Sequence, residues 1–429
     1  MNKRKSFILL IGAVVIVLFC VGIYFLPPVQ SRLAWRLASL HTKIHYYFNP
    51  PDEVVFLPLQ TNESDSDGEK PEIESVVLPE VKTLTPSPSS TTTPVIQVLP
   101  TQIPTALPDS DILSGITHEY QSFNNCGPAN LSMLLSYWGW DGDQRDTKGV
   151  LRPNEDDANV MPEELQKYIQ DNTDLRAILR FGGDIDLVKR LIAAGYPVII
   201  EIGHHPPNDW WMGHYVIVSG YDDTRGVLIT QDSLIMPDLP VAYTELQTRW
   251  WRDFNNVYLL AFPPEKEVEI ASILGTDYDP GENLQMTLQK TESELGLLTG
   301  RDLFFGYLNE AETLTRLGNF DEAVDVFDTA FNHYNTLDEE QRPWRVLWYR
   351  VKAYQAYYRT GHYQTVIDLA KTTLSMLNKR GLEESHYWRG MAFEASGEFD
   401  KARSDYEIAL QLRPTYQEAL DALNRLNNY

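Results

Sequence analysis

Gln121-Ser-Phe-Asn-Asn-Cys126-Gly-Pro-Ala-Asn-Leu-Ser-Met-Leu-Leu-Ser-Tyr-Trp138 is the stretch from which the rest of the chain can be read. Leu131, Leu134, Leu135 and Trp138 recur at i, i+3, i+4 and i+7, so the spacing predicts a helix with one apolar face. Asn124 or Asn125 can cap its start, Pro128 falls in a first turn that tolerates proline, and Gly139 suits its stop. Cys126 then lies at or beside the helix N-terminus, where unpaired N–H groups and the macrodipole favour a thiolate. Gln121, five residues upstream, can turn its amide back toward that sulfur, as a developing oxyanion requires. A free thiol is commonly an inert buried residue. Here the activating neighbours are present, and Cys126 is the only cysteine outside the apolar N-terminal segment, so a reactive role is expected.

A thiolate nucleophile needs a base. His214 opens the apolar run Gly213-His-Tyr-Val-Ile-Val-Ser-Gly-Tyr221, and Asp232 follows the run Val227-Leu-Ile-Thr230. Asp222-Asp-Thr-Arg-Gly226 between them is a turn sequence. Residue 223 is equidistant from 214 and 232, so a symmetric hairpin would set these two side chains opposite each other on one face. Asp232 could then fix the tautomer of the imidazole and stabilise imidazolium. Taken alone, His214 could equally be a satisfied histidine at a strand end.

His204 and His205, with Asp209, invite a metal reading. The run His204-His-Pro-Pro-Asn-Asp-Trp-Trp211 is better taken as a loop, because two prolines prevent regular structure. No Cys or His cluster has zinc-ligand spacing, so neither metal nor cofactor is expected. Trp210 and Trp211 could line a substrate cleft or be packing aromatics.

Together these residues resemble the papain-like bacteriocin-processing, or double-glycine, cysteine peptidases. The resemblance rests on Gln121, on Asn125-Cys-Gly-Pro-Ala129, on Gly213-His-Tyr-Val-Ile-Val-Ser-Gly-Tyr-Asp-Asp223 and on Asp232. It implies Cys126 as nucleophile, His214 as general base and acid, Asp232 as the orienting acid and Gln121 as oxyanion donor. Ser233 departs from the proline that commonly follows the aspartate in that family. Classical members are fused to a transporter with many spans and cut leader peptides in the cytoplasm. This chain shows a single candidate span and no nucleotide-binding motif, so leader processing does not carry over.

The chain has 429 residues, enough for two domains with linkers, and a formal net charge of −24. Such acidity argues against nucleic acid as a partner, since phosphate binding needs clustered Lys and Arg. Residues 1–27 read as a short cytoplasmic stub and a transmembrane anchor. Ser6 to Leu26 carries no charge over twenty-one residues, and Lys3, Arg4 and Lys5 precede it. The positive-inside rule places the N-terminus in the cytoplasm and the remainder outside a cell membrane, in a single pass. No Ala-x-Ala-like site follows the apolar run, which favours an uncleaved anchor over a signal peptide. Residues 28–60 are a juxtamembrane segment. Residues 61–111 hold eight prolines with many Ser, Thr and acidic residues, and such a stretch cannot bury enough apolar surface to order itself.

Residues 112–264 form the globular part. Helices are expected at Met161–Ile169 and Ile185–Ile192, then strands at Val198–Ile202, Tyr215–Ser219, Val227–Thr230 and Val257–Phe262, which makes an α+β domain able to fold by itself. Residues 265–300 connect it to an all-α region, 301–429. There Gly318-Asn-Phe320, Gly361-His-Tyr363 and Gly397-Glu-Phe399 mark three equivalent turns, 43 and 36 residues apart. Ala323, Phe327 and Ala330, then Ala402, Tyr406 and Ala409, follow two of these turns with Pro414 closing the last. The pattern resembles the tetratricopeptide repeat, strongest in the last copy with Gly390 and Phe393. The middle copy departs, with Val366 and Ala370. The resemblance implies stacked helix pairs with a concave surface for a protein partner.

The expectation is therefore a membrane-anchored, extracytoplasmic cysteine peptidase of bacterial type, with repeats that recruit substrate or partner. Two alternatives stand beside it: a cell-wall amide hydrolase with the same Cys–His chemistry, and a non-catalytic scaffold.

Overall fold

The computed structural model describes residues 107–427, apart from 206–209 and 378–380. The expected anchor at 6–26, the segment 28–60 and the linker up to residue 106 lie outside the described residues. Among the described residues, no helix is long and apolar enough to cross a membrane.

Seven antiparallel strands form one sheet: β1 (Ser110–Ile112), β2 (Arg176–Arg180), β3 (Val198–His204), β4 (Met212–Asp222), β5 (Val227–Gln231), β6 (Leu239–Ala242) and β7 (Tyr258–Phe262). Their order is β2-β7-β3-β4-β5-β6, and β1 pairs with the C-terminal end of β4. Four of the seven match expected strands. The short β1 lies in what reads as linker, because Ser110 and Asp111 carry no strand signal of their own. In β2 only Ala177, Ile178 and Leu179 are apolar, between two arginines. In β6 Pro240 argues against a strand, yet β6 is the edge of the sheet, where a missing N–H is tolerated.

The sheet is buried on both faces, so β3 and β4 read as near-continuous apolar runs. Tyr215, Ile217 and Leu259 point toward α1 (Cys126–Tyr137), α2 (Gln144–Leu151) and α3 (Pro162–Asn172). Ile200, Val216, Val218 and Leu260 meet α4 (Ile185–Ala193) and Trp251 on the other face. The two expected helices are α3 and α4, each within a few residues of its expected bounds. This is an α+β arrangement.

The connector is itself helical, as α5 (Glu267–Leu274) and α6 (Pro280–Leu295). Asn283 of α6 ties it to the sheet end, accepting from the Phe181 N–H at 3.1 Å and donating to the Phe181 carbonyl at 2.9 Å.

Beyond it stand three antiparallel helix pairs: α7 (Gly300–Leu317) with α8 (Phe320–Tyr334), α10 (Lys352–Arg359) with α11 (Tyr363–Ser375), and α12 (Glu383–Ala395) with α13 (Phe399–Leu412). A final helix, α14 (Gln417–Asn427), packs on α13. Gly318, Gly361 and Gly397 all take left-handed backbone, φ +87°, +82° and +76°, which is why glycine recurs at the three turns. Gly390 allows the close crossing in the last pair, since a Cβ there would come 2.7 Å from Cε1 of Tyr406. The longer interval between the first two turns is filled by an inserted segment carrying the one-turn helix α9 (Val346–Tyr349).

That inserted segment does not project into solvent. One apolar core runs from α1, α3 and the sheet through Trp211, Phe254 and Phe305 into Trp344, Trp348 and the repeat helices. The described residues fall in one compact unit rather than two. The expected self-sufficiency of 112–264 therefore meets a core shared with the repeats.

Candidate active site

Helix α1 begins at Cys126 itself and ends before Gly139, which has φ +85°. Neither asparagine caps it through a side chain. Asn125 holds the cap position but donates its amide to Gln144 Oε1 at 2.9 Å, and Asn124 is in left-handed backbone with φ +51°. The first-turn N–H groups thus have no side-chain cap, and a thiolate can use them. The buried guanidinium of Arg152 supports the loop before the helix, donating to the carbonyls of Phe123 and Asn124. Cys126 is half-buried.

His214 and Asp232 come together, though not as cross-strand partners. A bulge between Val218 and Gly220 shifts the β4–β5 register from Gly220↔Ile229 to Val218↔Thr230 and Ile217↔Gln231. Continuing that register puts Asp232 beside Val216, so the symmetric hairpin is corrected by two residues. An offset of two keeps both side chains on one face as diagonal neighbours. His214 Nε2 lies 2.9 Å from Asp232 Oδ1, with both residues buried. Asp232 Oδ1 also accepts from the N–H groups of Leu234 at 2.8 Å and Ile235 at 3.1 Å.

The electrostatics favour an ion pair. Burial opposes charge on His214, but Asp232 and a hydrogen bond with Cys126 outweigh it and push its pKa up to about 10. Burial likewise opposes the Cys126 thiolate. The hydrogen bond and charge of His214, with backbone groups of Tyr215 and Gly127, nonetheless hold that thiol below its ordinary value. Burial raises Asp232, and the His214 charge and its hydrogen bonds bring it below the usual carboxylate range.

Gln121 is buried and runs alongside Ser233, whose carbonyl accepts from the Gln121 N–H at 2.9 Å. Ser233 Oγ donates to Gln121 Oε1 at 2.8 Å. Asn130, one turn into α1, donates Nδ2 to the carbonyls of Cys126 and Tyr215 at 2.9 and 2.7 Å, and to Ser233 Oγ at 3.2 Å. The cysteine helix, the histidine strand and the segment after Asp232 are thus tied at one buried amide.

Three nearby residues carry no clear signal in the sequence. His204 is the last residue of β3 rather than part of a loop, and its ring centroid lies 5.6 Å from that of His214. Burial, then the His214 charge, press its pKa down to about 4, so it stays neutral beside the imidazolium. Glu201, also on β3 and buried, has its carboxyl held well above the usual range by burial and then by the Cys126 charge. Tyr349 of α9 packs against Gly213, the residue before His214. Alternation along β3 could have flagged Glu201 as a buried acid; nothing local could have flagged Tyr349. Of the two tryptophans, Trp211 is a packing residue, stacked on Phe254 at 5.7 Å and donating to Asp253 at 2.7 Å. Trp210 meets Trp344 of the inserted segment edge-on at 6.0 Å.

For metals, Asp209 lies outside the described residues, and His205 is exposed. Among the described residues one acidic group, Glu164, Glu383 and Glu384, brings ligand atoms within 4.8 Å of one another. Arg413 already pairs with all three, and its guanidinium takes the place a cation would need.

Comparison with known proteins bears on both halves. Residues 113–260 match the family model described as Peptidase_C39 like family. Residues 383–416, the copy with Gly390, Ala402, Tyr406 and Pro414, match the tetratricopeptide repeat model. No curated protein matches the chain. Among solved structures, the chain is similar to a Bacillus anthracis protein described as a candidate C39-like peptidase, at 17% identity and TM-score 0.31, covering 36% of this chain and 97% of that one.

Proposed function

We propose that the segment 112–264 is a cysteine peptidase that hydrolyses peptide bonds, with Cys126, His214, Asp232 and Gln121 as its working residues. One observation carries the reading: the buried His214, its Nε2 2.9 Å from Asp232, lies close enough to the half-buried Cys126 to hold that thiol below its ordinary value. The Cys126 thiolate attacks the scissile carbonyl carbon, forming a C–S bond and placing the electron pair on oxygen. Gln121 Nε2 donates to that oxyanion. Collapse restores the carbonyl and breaks the C–N bond, and the leaving amine takes its proton from the His214 imidazolium. His214, now neutral, removes a proton from water as the water oxygen attacks the thioester. The acid product leaves and the ion pair is restored. Asp232 holds the ring in one tautomer throughout and stabilises its charge.

The rest of the chain gives this chemistry its setting. The repeats engage a protein or peptide partner, as the match at 383–416 supports. The uncharged run at 6–26 behind Lys3–Lys5 supports a membrane anchor with the peptidase outside.

The test begins with labelling by a thiol-directed probe. Digests of a peptide library and of peptidoglycan by wild type and Cys126→Ala then follow. Labelling confined to Cys126 and cleavage of peptides, lost in the variant, is the expected result. Cleavage of peptidoglycan alone would move the bond to the cell wall, and neither labelling nor cleavage would leave a scaffold. Protease added to intact cells should cut between residues 61 and 106; protection until lysis would overturn the exterior placement.

A further inference from the structure

The amide of Gln121 has two ends of opposite chemistry, and an oxyanion can use only the N–H end. A side chain free to flip would present the carbonyl half of the time. The buried contacts around it remove that freedom. Asn130 Nδ2 faces two backbone carbonyls, those of Cys126 and Tyr215, at 2.9 and 2.7 Å. A carbonyl only accepts, so the atom between them must be the NH2 group, and its Oδ1 on the other side meets no hydrogen-bond donor among the described residues. Those carbonyls take the group's two hydrogens, and one of the two is shared at longer range with Ser233 Oγ, 3.2 Å away. With that donor on one side, the Ser233 hydroxyl turns its own hydrogen to Gln121, 2.8 Å away. The Gln121 atom facing it is then the carbonyl oxygen, and Nε2 is left as the outward end, with no hydrogen bond among the described residues. All three side chains are buried, with Asn130 and Ser233 at 0% and 1% exposed, so water cannot scramble the chain of donors.

We propose that Ser233 is a positioning residue that, held by Asn130, fixes the Gln121 amide with its N–H end toward the oxyanion. The proposal rests on the peptidase reading. It also gives Ser233 a reason to stand directly after Asp232: one short segment orients the histidine through its carboxylate and the oxyanion donor through its hydroxyl. Because the hydroxyl acts only through Gln121, its loss should be felt in the transition state and not in the resting thiolate.

The experiment compares wild type, Ser233→Ala, Ser233→Thr, Gln121→Ala and the double variant Gln121→Ala/Ser233→Ala. The readouts are kcat and KM on the best internally quenched peptide of a library, affinity for a peptide aldehyde whose hemithioacetal oxygen mimics the oxyanion, and iodoacetamide alkylation of Cys126. Ser233→Ala should lower kcat and weaken the aldehyde about tenfold, a fraction of the roughly 10²–10³ expected from losing an oxyanion donor outright. KM and alkylation should stay at wild-type values, Ser233→Thr should restore kcat, and the double variant should be no worse than Gln121→Ala. Wild-type kcat and aldehyde affinity in Ser233→Ala would overturn the proposal. So would equal losses in the presence and absence of Gln121, or slowed alkylation, which would mark a merely structural role. Failure of the peptidase reading looks different: wild type itself would then neither cleave a peptide nor bind the aldehyde at Cys126, and the proposal would fall with it.

Discussion

Tyr349 lies against Gly213 so closely that a Cβ on the glycine would fall 2.8 Å from Cδ1 of the tyrosine ring and 2.8 Å from Cζ of Phe254. Gly213 precedes His214 on β4, and Tyr349 comes from the segment inserted between the first two helix pairs. The repeat region therefore forms part of the wall behind the histidine. Around that contact, Trp211 meets Tyr349 at 5.7 Å, and Arg350 pairs with Glu312 at 2.9 Å while donating to Asn309 Oδ1 at 2.9 Å.

Gly213→Ala should accordingly disturb the site without touching any proposed working residue. Two aromatic rings would have to move, and overpacking of this kind costs about 1–3 kcal/mol. A lowered melting temperature and a fall in kcat are expected together. Unchanged values in thermal unfolding and in turnover would mean that the rings yield freely and the wall is soft.

Removing the repeats should do more. Residues 112–264 alone would expose Trp211, Phe254 and the other side chains that meet the helical region within the shared core. Large exposed apolar patches favour association. The segment should be aggregated or poorly cooperative by calorimetry, whereas 107–429 should unfold in one transition. A soluble 112–264 that labels at Cys126 as fast as the longer chain would show that the wall is dispensable.

This contact also marks where sequence reading stops. The periodicity of Leu131, Leu134 and Leu135 places α1 and its cysteine, because a helix repeats locally. The glycines at 318, 361 and 397 place the helix turns, because each needs a left-handed residue. His214 and Asp232 were legible as a pair from an even offset, which keeps side chains on one face. The bulge at Val218/Gly220 leaves no such local trace, so the register was off by two. Tyr349 and Gly213 are 136 residues apart in a chain without an internal symmetry to relate them, so no local pattern links them. The interval of 43 against 36 residues signals an insertion but not what it touches.

Alkylation of Cys126 against pH tests the ion pair. His214 holds its proton up to about pH 10, and Cys126 loses its own below the ordinary thiol value, so thiolate and imidazolium coexist between those two points. Iodoacetamide should therefore modify Cys126 with a pH midpoint below that of a free thiol of pKa about 8.5. His214→Ala should move the midpoint upward, since the largest lowering influence is gone and burial remains. Asp232→Asn should move it part of the way, because the carboxylate is the main support of the imidazolium charge. Curves that superimpose for all three proteins would remove the ion pair and favour the scaffold.

The last prediction concerns the seam between the two halves, where acids crowd a single arginine. Glu164 of α3 faces Glu383 and Glu384 of α12 around Arg413, whose Nη1 lies 3.3 Å from Glu383 and 3.5 Å from Glu384. Burial and mutual repulsion outweigh that shared charge: Glu164 is pushed up to about 7, Glu384 is raised, and Glu383 and nearby Asp157 sit well above the usual range. A carboxyl with a raised folded-state pKa holds its proton when folded and releases it when unfolded. The folded state then binds more protons between the ordinary value and the raised one, so stability falls as pH rises through that window. Glu163 runs the other way, pressed down to about 2 by Arg316 and Lys352 against its burial, but it is ionised in both states above pH 5 and adds no slope there. His214 adds little to this slope, because the proton it keeps above its ordinary pKa is offset by the one Cys126 gives up below its own. Thermal unfolding of 107–429 should therefore show a melting temperature that drops from pH 5 to pH 8. Glu384→Gln should flatten the drop, because the repulsion that raises its neighbours is relieved. A slope identical in wild type and Glu384→Gln would mean that the seam relaxes to admit water and that these acids titrate as exposed groups.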